Sequence, residues 1–282
     1  MQKSLAKQIK DFKVDSQSVV IWGLGQMGLC IKDDEQRVTL IDPILSNVVA
    51  ETFPQNAALF KREFEPPLQP EEIDFADLVL CTHEHLDHAD PITLKGILAA
   101  SPQAQVFTSA WAIESLQAAG LDTNRMQVAM PGKFYEQGNL KIQCLPSAHY
   151  TLEVHPQKGS RWLGFILDWG WIRMYHSGDT VLYSELLEIM KKLAPVRVMM
   201  LPVNGRDAER EALDITGNLH LFEAQQLAIA GGAETVLIGH NDLFAFNSVP
   251  LEKQQAELKH HGNQQPLYLE LRPGQQMLYR KG

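Results

Sequence analysis

The sequence predicts an α/β fold, and three observations support it. Short apolar runs of strand length alternate with longer segments of helical pattern along the 282 residues. Helix candidates carry terminal signals, as where the segment 109–120 opens on Ser109 and closes on Gly120. The numbers of strands and helices fit two mixed β-sheets packed face to face with helices outside, a four-layer αββα sandwich. With no internal repeat or obvious linker, we expect a single domain at 1–282, with 1–16 as an N-terminal arm or helix.

The strand candidates are apolar runs bounded by turn residues. They lie at 19–23, 37–42, 77–83, 104–109, 141–147, 164–170, 171–177, 196–203, 234–240 and 266–272. Helices are expected to begin near Pro91, Ser109, Thr180, Leu219 and Pro250.

The first strand runs into a glycine pattern, G-x-G-x-x-G, made by Gly23, Gly25 and Gly28. This pattern marks a dinucleotide-binding turn only when a helix follows the glycines and receives the phosphate on its N-terminus. Here a strand-like run, a polar turn and the strand at 37–42 follow instead. We therefore predict a β-meander, in which the glycines ease bends and close packing.

Composition limits the classes of partner. The chain carries 25 Lys and Arg against 34 Asp and Glu, a net charge of −9, which disfavours a nucleic-acid partner. No apolar run approaches a membrane span, and the start of the chain lacks the apolar stretch of a secretory signal, so no membrane partner is expected. The three cysteines lie inside apolar runs and predict buried thiols in a reducing compartment, so we expect a cytoplasmic protein.

Residues able to bind metal stand at or just after the ends of five apolar runs. They are Asp42, His83, His149, the pair His176 and Asp179, and His240. Sites in layered α/β folds form where loops leave the carboxyl ends of strands. The five runs therefore indicate one shared site.

The densest cluster is the segment 82–90, THEHLDHAD, in which His83, His85, Asp87 and His88 follow the pattern H-x-H-x-D-H. Asp90 is predicted as a helix cap with Pro91 at the first helical position, which puts the four residues on a loop between a buried strand and a helix. On a short loop, alternate side chains can serve two centres, as two adjacent metal ions require. The alternatives are a histidine-rich surface loop or histidines satisfied within the core.

Four motifs in this order, THEHLDHAD, SAHY, YHSGDT and IGHND, resemble the metallo-β-lactamase superfamily. The segments around 22–43, 174–180 and 201–206 resemble its L-ascorbate-6-phosphate lactonase-like branch. The resemblance covers about Val19 to Arg280. His149 in SAHY is more similar to general hydrolases of the group than to the sugar-phosphate lactonase, which argues against carrying over the ascorbate substrate.

The resemblance implies a role for each matching residue. One metal ion would be held by His83, His85 and His149, the second by Asp87, His88 and His240, with Asp179 bridging both. Asp42 matches a buried aspartate that orients the site by hydrogen bonds. Homo-oligomer formation is a further implication.

The implied cofactors are two divalent metal ions. Imidazole and carboxylate ligands admit Zn²⁺ and Mn²⁺, and also Fe²⁺. A metal-bound hydroxide would attack a carbonyl or phosphoryl centre, with Asp87 and Asp179 as catalytic residues. Cys81, two residues before His83, is predicted to be a buried small residue rather than a ligand.

Residues flanking these positions are candidates for orienting ligands or contacting substrate. For His176 an orienting role competes with a plain strand-end residue, and for Arg206 a carboxylate or phosphate clamp competes with a surface salt bridge. Asn204, Tyr150 and Asn241 complete this set. His155, His220, His260 and His261 lack a supporting pattern and are expected at the surface.

The leading functional hypothesis is a metal-dependent hydrolase acting on a small ester, lactone or phosphorylated metabolite. A phosphodiesterase or nuclease of the same fold is the next, disfavoured by the acidic balance. A diiron oxidoreductase is third: such relatives have Glu where this chain has His85, and they carry a flavin domain for which no residues are expected to remain here. A non-catalytic metal-binding or sensing module is the alternative outside enzymes.

Overall fold

A computed structural model describes residues 4–250, 252–254, 256 and 266–281. The chain divides into two compact units, the first made of Met1–Ala129 with Leu271–Gly282 and the second of Met130–Glu270. Much of the helix expected from Pro250, together with His260 and His261, lies outside the described residues.

The first unit is built on a mixed sheet with seven described strands in the order β16-β1-β2-β3-β4-β5-β6. The strands are β1 Ser18–Gly25, β2 Gly28–Asp33, β3 Val38–Ile41, β4 Leu78–Leu80, β5 Gln105–Thr108, β6 Met126–Val128 and β16 Gln276–Arg280. From β16 to β3 the neighbours are antiparallel, and from β3 to β6 they are parallel. The carboxyl ends of β3 and β4 therefore meet at one edge of this sheet.

The glycine pattern forms the β1–β2 hairpin, as predicted, with Gly25 paired to Gly28 across the turn. Gly25 has a φ of +93°, where a Cβ would lie 2.3 Å from the Phe64 ring. A Cβ on Gly23 would lie 2.2 Å from the Leu271 carbonyl oxygen. Close backbone approach and left-handed geometry therefore account for these glycines, since both demand the absence of a Cβ.

Helices cover this sheet. They are α1 Leu5–Asp11, α2 Val48–Thr52, α3 Pro91–Ala100 and α4 Ala110–Ala118. Leu94 and Ile97 of α3 are fully buried in one apolar cluster with Val79 and Cys81. The expected starts of α3 and α4 are confirmed, because Asp90 and Ser109 cap them as predicted.

The second unit repeats the plan with a mixed sheet whose described strands run in the order β15-β14-β13-β12-β11-β8-β7. These strands are β7 Phe134–Gln137, β8 Leu140–Pro146, β11 Leu163–Asp168, β12 Arg173–His176, β13 Val198–Pro202, β14 Thr235–Gly239 and β15 Leu267–Leu269, beside a small hairpin of β9 Val154–His155 and β10 Gly159–Ser160. The neighbours from β12 to β15 are parallel. The carboxyl ends of β12, β13 and β14 thus share an edge.

Helices α5 Ser184–Leu193, α6 Ala208–Glu211 and α7 Leu221–Gly231 belong to this unit. The expected start of α5 at Thr180 is wrong by four residues. Thr180 instead accepts a hydrogen bond from the Ala148 amide through its hydroxyl, 3.1 Å away, so this segment is a loop tied to its neighbour. His155 is exposed as expected, whereas His220 is half-buried where it precedes α7.

The fold class is confirmed as α/β, with two mixed sheets flanked by helices. All three cysteines are buried and free, in agreement with the prediction. None of the described helices combines the length and apolar character that a bilayer crossing requires.

Candidate functional site

The cluster 82–90 forms a tightly fixed loop between β4 and α3, as predicted. Asp90 Oδ1 accepts hydrogen bonds from the amides of Ile92 at 2.9 Å and Thr93 at 3.1 Å. Inside the loop, the His88 amide donates to the His85 carbonyl oxygen at 2.9 Å. Satisfied backbone groups at the cap and in the turn hold the loop in one conformation.

Asp42 lies at the end of β3 and is fully buried. Its Oδ1 accepts from the Thr82 amide at 2.7 Å. Its Oδ2 accepts from the Thr82 hydroxyl at 2.7 Å and pairs with His88 Nδ1 at 2.8 Å. Thr82 Oγ1 in turn lies 3.0 Å from His83 Nδ1. One carboxylate therefore supports two histidines, directly for His88 and through a hydroxyl for His83.

This network determines which ring nitrogen carries the proton. An ionised carboxylate only accepts, so His88 Nδ1 must donate to Asp42. Thr82 spends its single hydroxyl proton on Asp42, so its oxygen accepts from His83 Nδ1. In the neutral rings, both Nε2 atoms then keep their lone pairs, which is the tautomer of a metal ligand held by an outer partner.

His85 and Asp87 lie beside this pair in the first unit. The rings of His83 and His85 have centroids 4.5 Å apart, and their donor atoms lie within 4.8 Å of one another. Asp87 Oδ2 lies 3.6 Å from His88 Nε2 and accepts a hydrogen bond from Gln26 Nε2 at 2.8 Å. The first unit thus gathers four donor side chains on one loop.

In the second unit, His149 and Asp179 are brought together by interlocked loops. The Val181 amide donates to the Ala148 carbonyl oxygen at 2.8 Å, and Ser147 Oγ donates to the Ser177 carbonyl oxygen at 2.6 Å. Donor atoms of His149 and Asp179 lie within 4.8 Å of one another. Both side chains are buried, so their positions are set by packing as well as by the loops.

His240 follows β14 and joins Asp179 in this unit. Its Nε2 lies 3.2 Å from Asp179 Oδ2, and its Nδ1 lies 3.4 Å from Asn247 Nδ2. The backbone of His240 has a φ of +56°. Non-glycine residues rarely adopt this region, and when they do they concentrate at functional sites.

Behind His240 lies a chain of side-chain amides. Asn247 Oδ1 accepts from Arg210 Nη1 at 2.8 Å and from Asn204 Nδ2 at 2.9 Å, and Asn204 Oδ1 accepts from Asn218 Nδ2 at 3.1 Å. Since a guanidinium can only donate, the Asn247 oxygen must face Arg210. Asn204, predicted to orient a ligand or contact substrate, is a buried member of the amide chain behind His240.

Arg206 forms a two-bond pair with Glu223, with Nη1–Oε2 and Nη2–Oε1 distances of 2.7 Å each. The hydrogen bonds to Glu223 raise the pKa of Arg206. The Arg206 side chain is 27% exposed. Of the two sequence hypotheses for Arg206, this arrangement corresponds to the salt bridge.

The remaining predicted contacts are also engaged within the second unit. Tyr150 donates its hydroxyl to Glu211 Oε1 at 2.7 Å, and burial followed by this bond raises the pKa of Tyr150. Asn241 uses both ends of its amide on the backbone of Val249, at 2.9 and 2.6 Å. His176 Nδ1 accepts from the Gly178 amide at 3.2 Å. Their roles toward a substrate stay predictions.

The donor set fits a divalent metal. Its members are imidazoles and carboxylates, ligands that suit Zn²⁺, Mn²⁺ and Fe²⁺. Burial, followed by the carboxylates of Asp42 and Asp90, raises the pKa of the Cys81 thiol well above its ordinary value. Cys81 is fully buried, as predicted, and the candidate metal groups found among the described residues do not include its thiol.

Sequence reasoning missed the residues that hold the donors in place: Gln26, Thr82 and Asn247. Thr82 stands next to His83 in the motif, and its hydroxyl was the available signal. Gln26 could have been found as the polar residue of the two, Gln26 and Met27, at the tip of a tight hairpin. Asn247 lies in a segment with no pattern, and its contact becomes visible only in three dimensions.

Fold and donor set together define an α/β protein with candidate His and Asp metal-binding groups. Residues 37–240 match the model of the family described as "Beta-lactamase superfamily domain". The chain belongs to this family, and the superfamily predicted from the four motifs is confirmed.

The relatives agree with this placement. A UPF0173 metal-dependent hydrolase of Methanoregula boonei is 30% identical over 135 residues, covering 46% of this chain and 55% of the relative. The chain thus spans little more than half the length of the curated relatives it matches.

Solved structures share the fold. Igni18, a metallo hydrolase from the archaeon Ignicoccus hospitalis, has a TM-score of 0.62 at 20% identity, covering 93% of this chain and 99% of that one. CmlA, a diiron β-hydroxylase from Streptomyces venezuelae, has a TM-score of 0.63 at 12% identity, covering 95% and 55%. Proteins of this fold therefore carry out different reactions, and the fold alone does not choose among them.

Proposed function

We propose that the protein is a metal-dependent hydrolase acting on a small ester, lactone or phosphorylated metabolite. The observation that carries the proposal is the Asp42–Thr82 support of His83 and His88, which leaves both Nε2 lone pairs for a metal. A set of buried histidines serving only as core residues has no need of this common orientation. The name "metal-dependent hydrolase" of the relatives points the same way.

For the ligands, we assign His83, His85 and His149 to one ion and Asp87, His88 and His240 to a second, with Asp179 as the bridging carboxylate. Support comes from the family match, which spans all seven residues. We keep Zn²⁺ or Mn²⁺ as the leading ions, with Fe²⁺ admissible for the same donor set.

When bound, the ions would lower the pKa of a coordinated water and supply positive charge beside the reacting oxygen. The chain's own residues do the positioning. Asp42 and Thr82 keep His83 and His88 in the ligand tautomer, and Asp179 holds His240 Nε2 at 3.2 Å. Asp87, half-buried at the edge of the loop, is the carboxylate proposed to steer protons.

Substrate, location and assembly complete the proposal. A lactone or phosphorylated small molecule is favoured by the resemblance to the L-ascorbate-6-phosphate lactonase-like branch. The three buried free thiols favour the cytoplasm, and the same branch resemblance favours a homo-oligomer.

The test is metal analysis of the purified chain followed by hydrolysis of a lactone panel beside bis-p-nitrophenyl phosphate. We expect two ions per chain, turnover of lactones or small esters, and loss of both metal and turnover in Asp179→Ala. Asp168→Ala is the matched control. Asp168 is an ion-paired carboxylate beside the first residue of β12, whereas Asp179 follows the last residue of that strand. Full metal and turnover in Asp179→Ala would refute the bridging role.

The panel also separates the alternatives. Preference for the diester favours a phosphodiesterase, and bound metal without turnover on any substrate favours a non-catalytic module. Either outcome contradicts the substrate class proposed here.

A further inference from the structure

The tip of the β1–β2 hairpin places one glutamine against a predicted metal ligand. Gln26 is 3% exposed and donates from Nε2 to Asp87 Oδ2 at 2.8 Å. The two residues are 61 positions apart in sequence. This contact gives the glycine-rich segment a use that is neither phosphate binding nor packing alone.

The backbone of Gln26 is held in an unfavourable region. Its φ is +58°, where glycine and asparagine are preferred. A turn of this kind would be more stable with glycine if only the chain reversal mattered. A side chain kept at a strained and buried position therefore indicates a function for that side chain.

The chemistry of the pair fixes its direction. An ionised Asp87 only accepts, so the amide nitrogen of Gln26 must face it, and the amide keeps donating at every physiological pH. A carboxylate has about four acceptor positions, so this bond leaves capacity for a cation. Asp87 is only half-buried, so packing alone leaves its side chain room to rotate, and the bond from Gln26 restricts that rotation.

We propose that Gln26 is a positioning residue that holds the Asp87 carboxylate in its metal-binding orientation. This inference rests on the proposed function, in which Asp87 is a ligand of the second ion. Outer partners of metal ligands typically contribute roughly 10- to 100-fold in metal affinity. We expect a contribution of that size for the ion bound by Asp87.

The experiment compares Gln26→Gly with Gln36→Gly. Gln36 is a matched control, because it also has a left-handed φ, +65°, in the next hairpin, and its side chain bonds the backbone of Val14 and Asp34, outside the candidate site. Both substitutions relieve the same backbone strain, and only the first removes the donor to Asp87. Gln26→Asn is a third variant, which tolerates the left-handed backbone but carries an amide one methylene shorter.

Metal affinity is measured by competition with a chelating dye, using Zn²⁺ and Mn²⁺ as probes, beside thermal melting of the metal-free chains. We expect Gln26→Gly and Gln26→Asn to bind one of two ions roughly 10- to 100-fold more weakly. Gln36→Gly should bind both ions as wild type does. The metal-free variants should melt within roughly 4 °C of wild type, and excess metal should restore turnover.

If the wild-type chain binds two ions and Gln26→Gly binds both with wild-type affinity, this inference is overturned while the proposed function stands. Equal weakening in Gln36→Gly also overturns it, because the effect would then follow from the turns. A wild-type chain that binds neither ion overturns the proposed function and this inference together.

Discussion

Replacing Asp42 with asparagine exchanges one carboxylate oxygen for an amide nitrogen at the centre of the histidine support. Asparagine keeps the size of aspartate and tolerates its left-handed backbone, where φ is +44°. The unchanged oxygen can still accept from the Thr82 amide. The new amide nitrogen, however, faces the Thr82 hydroxyl and His88 Nδ1, both of which donate to Asp42 in the native chain.

The rings must respond to this reversal. His88 can satisfy the new donor only by accepting on Nδ1, which moves its proton to Nε2, the atom proposed to bind metal. Thr82, no longer able to donate to residue 42, turns its proton toward His83 Nδ1 and inverts that ring as well. We expect a loss of metal affinity of roughly 10- to 100-fold, which corresponds to about 1.4 to 2.8 kcal/mol. The metal-free chain should lose about 1 to 3 kcal/mol of unfolding free energy.

Dye competition and urea unfolding with and without Zn²⁺ measure the two effects separately. Asp77→Asn serves as the control, because Asp77 precedes β4 and accepts from the Val38 amide at 2.9 Å, remote from the loop 82–90. Wild-type metal affinity in Asp42→Asn would refute the tautomer argument, and an equal loss in Asp77→Asn would attribute the effect to general destabilisation.

Two further predictions concern stability and thiol chemistry. Burial alone would raise the pKa of Glu223, but hydrogen bonds from Arg206 and the His220 amide outweigh it and lower the pKa. A lowered folded-state pKa stabilises the fold above the unfolded value of about 4.3 and loses that stability as pH falls through the folded value. Arg206→Met should therefore lower the unfolding free energy by about 1 to 3 kcal/mol at pH 7, as measured by urea titration. The fall of the unfolding free energy below about pH 4.5 should also be less steep than in wild type. An equally steep fall in the variant would contradict the role of Arg206 in lowering the pKa of Glu223. Burial raises the pKa of Cys30 and Cys144 to about 12, so a thiol reagent at pH 8 should modify all three cysteines only after unfolding, and fast labelling of the native chain would be inconsistent with the burial.

The strand ends and the ligand-type residues on them could be predicted from sequence, because both are local. Alternation of apolar runs with turns locates β4 and β14; His83 lies three residues after β4, and His240 directly follows β14. Strand β16 was missed, since its residues alternate between exposed and half-buried and form no apolar run. Its pairing with β1 joins Ser18 to Arg280, a contact that no local pattern encodes.

The outer partners of the site were harder to predict for the same physical reason. An imidazole or carboxylate in a motif can be recognised as a metal ligand from its residue type. The role of an amide or hydroxyl depends on which group it contacts in the folded chain. Arg206 illustrates this. Its sequence neighbours allowed either a carboxylate or phosphate clamp or a salt bridge, and in the structure it pairs with Glu223, 17 residues away.

Four of the non-glycine residues with left-handed backbones are Gln26, Asp42, Tyr150 and His240, all in or beside the candidate site. At Gln26, glycine would relieve this strain, so a library screened for thermal tolerance alone would favour glycine there. Such a screen would enrich chains that survive heating while losing the side chains used for chemistry. Engineering of this protein should therefore hold these four codons fixed and seek stabilising changes elsewhere.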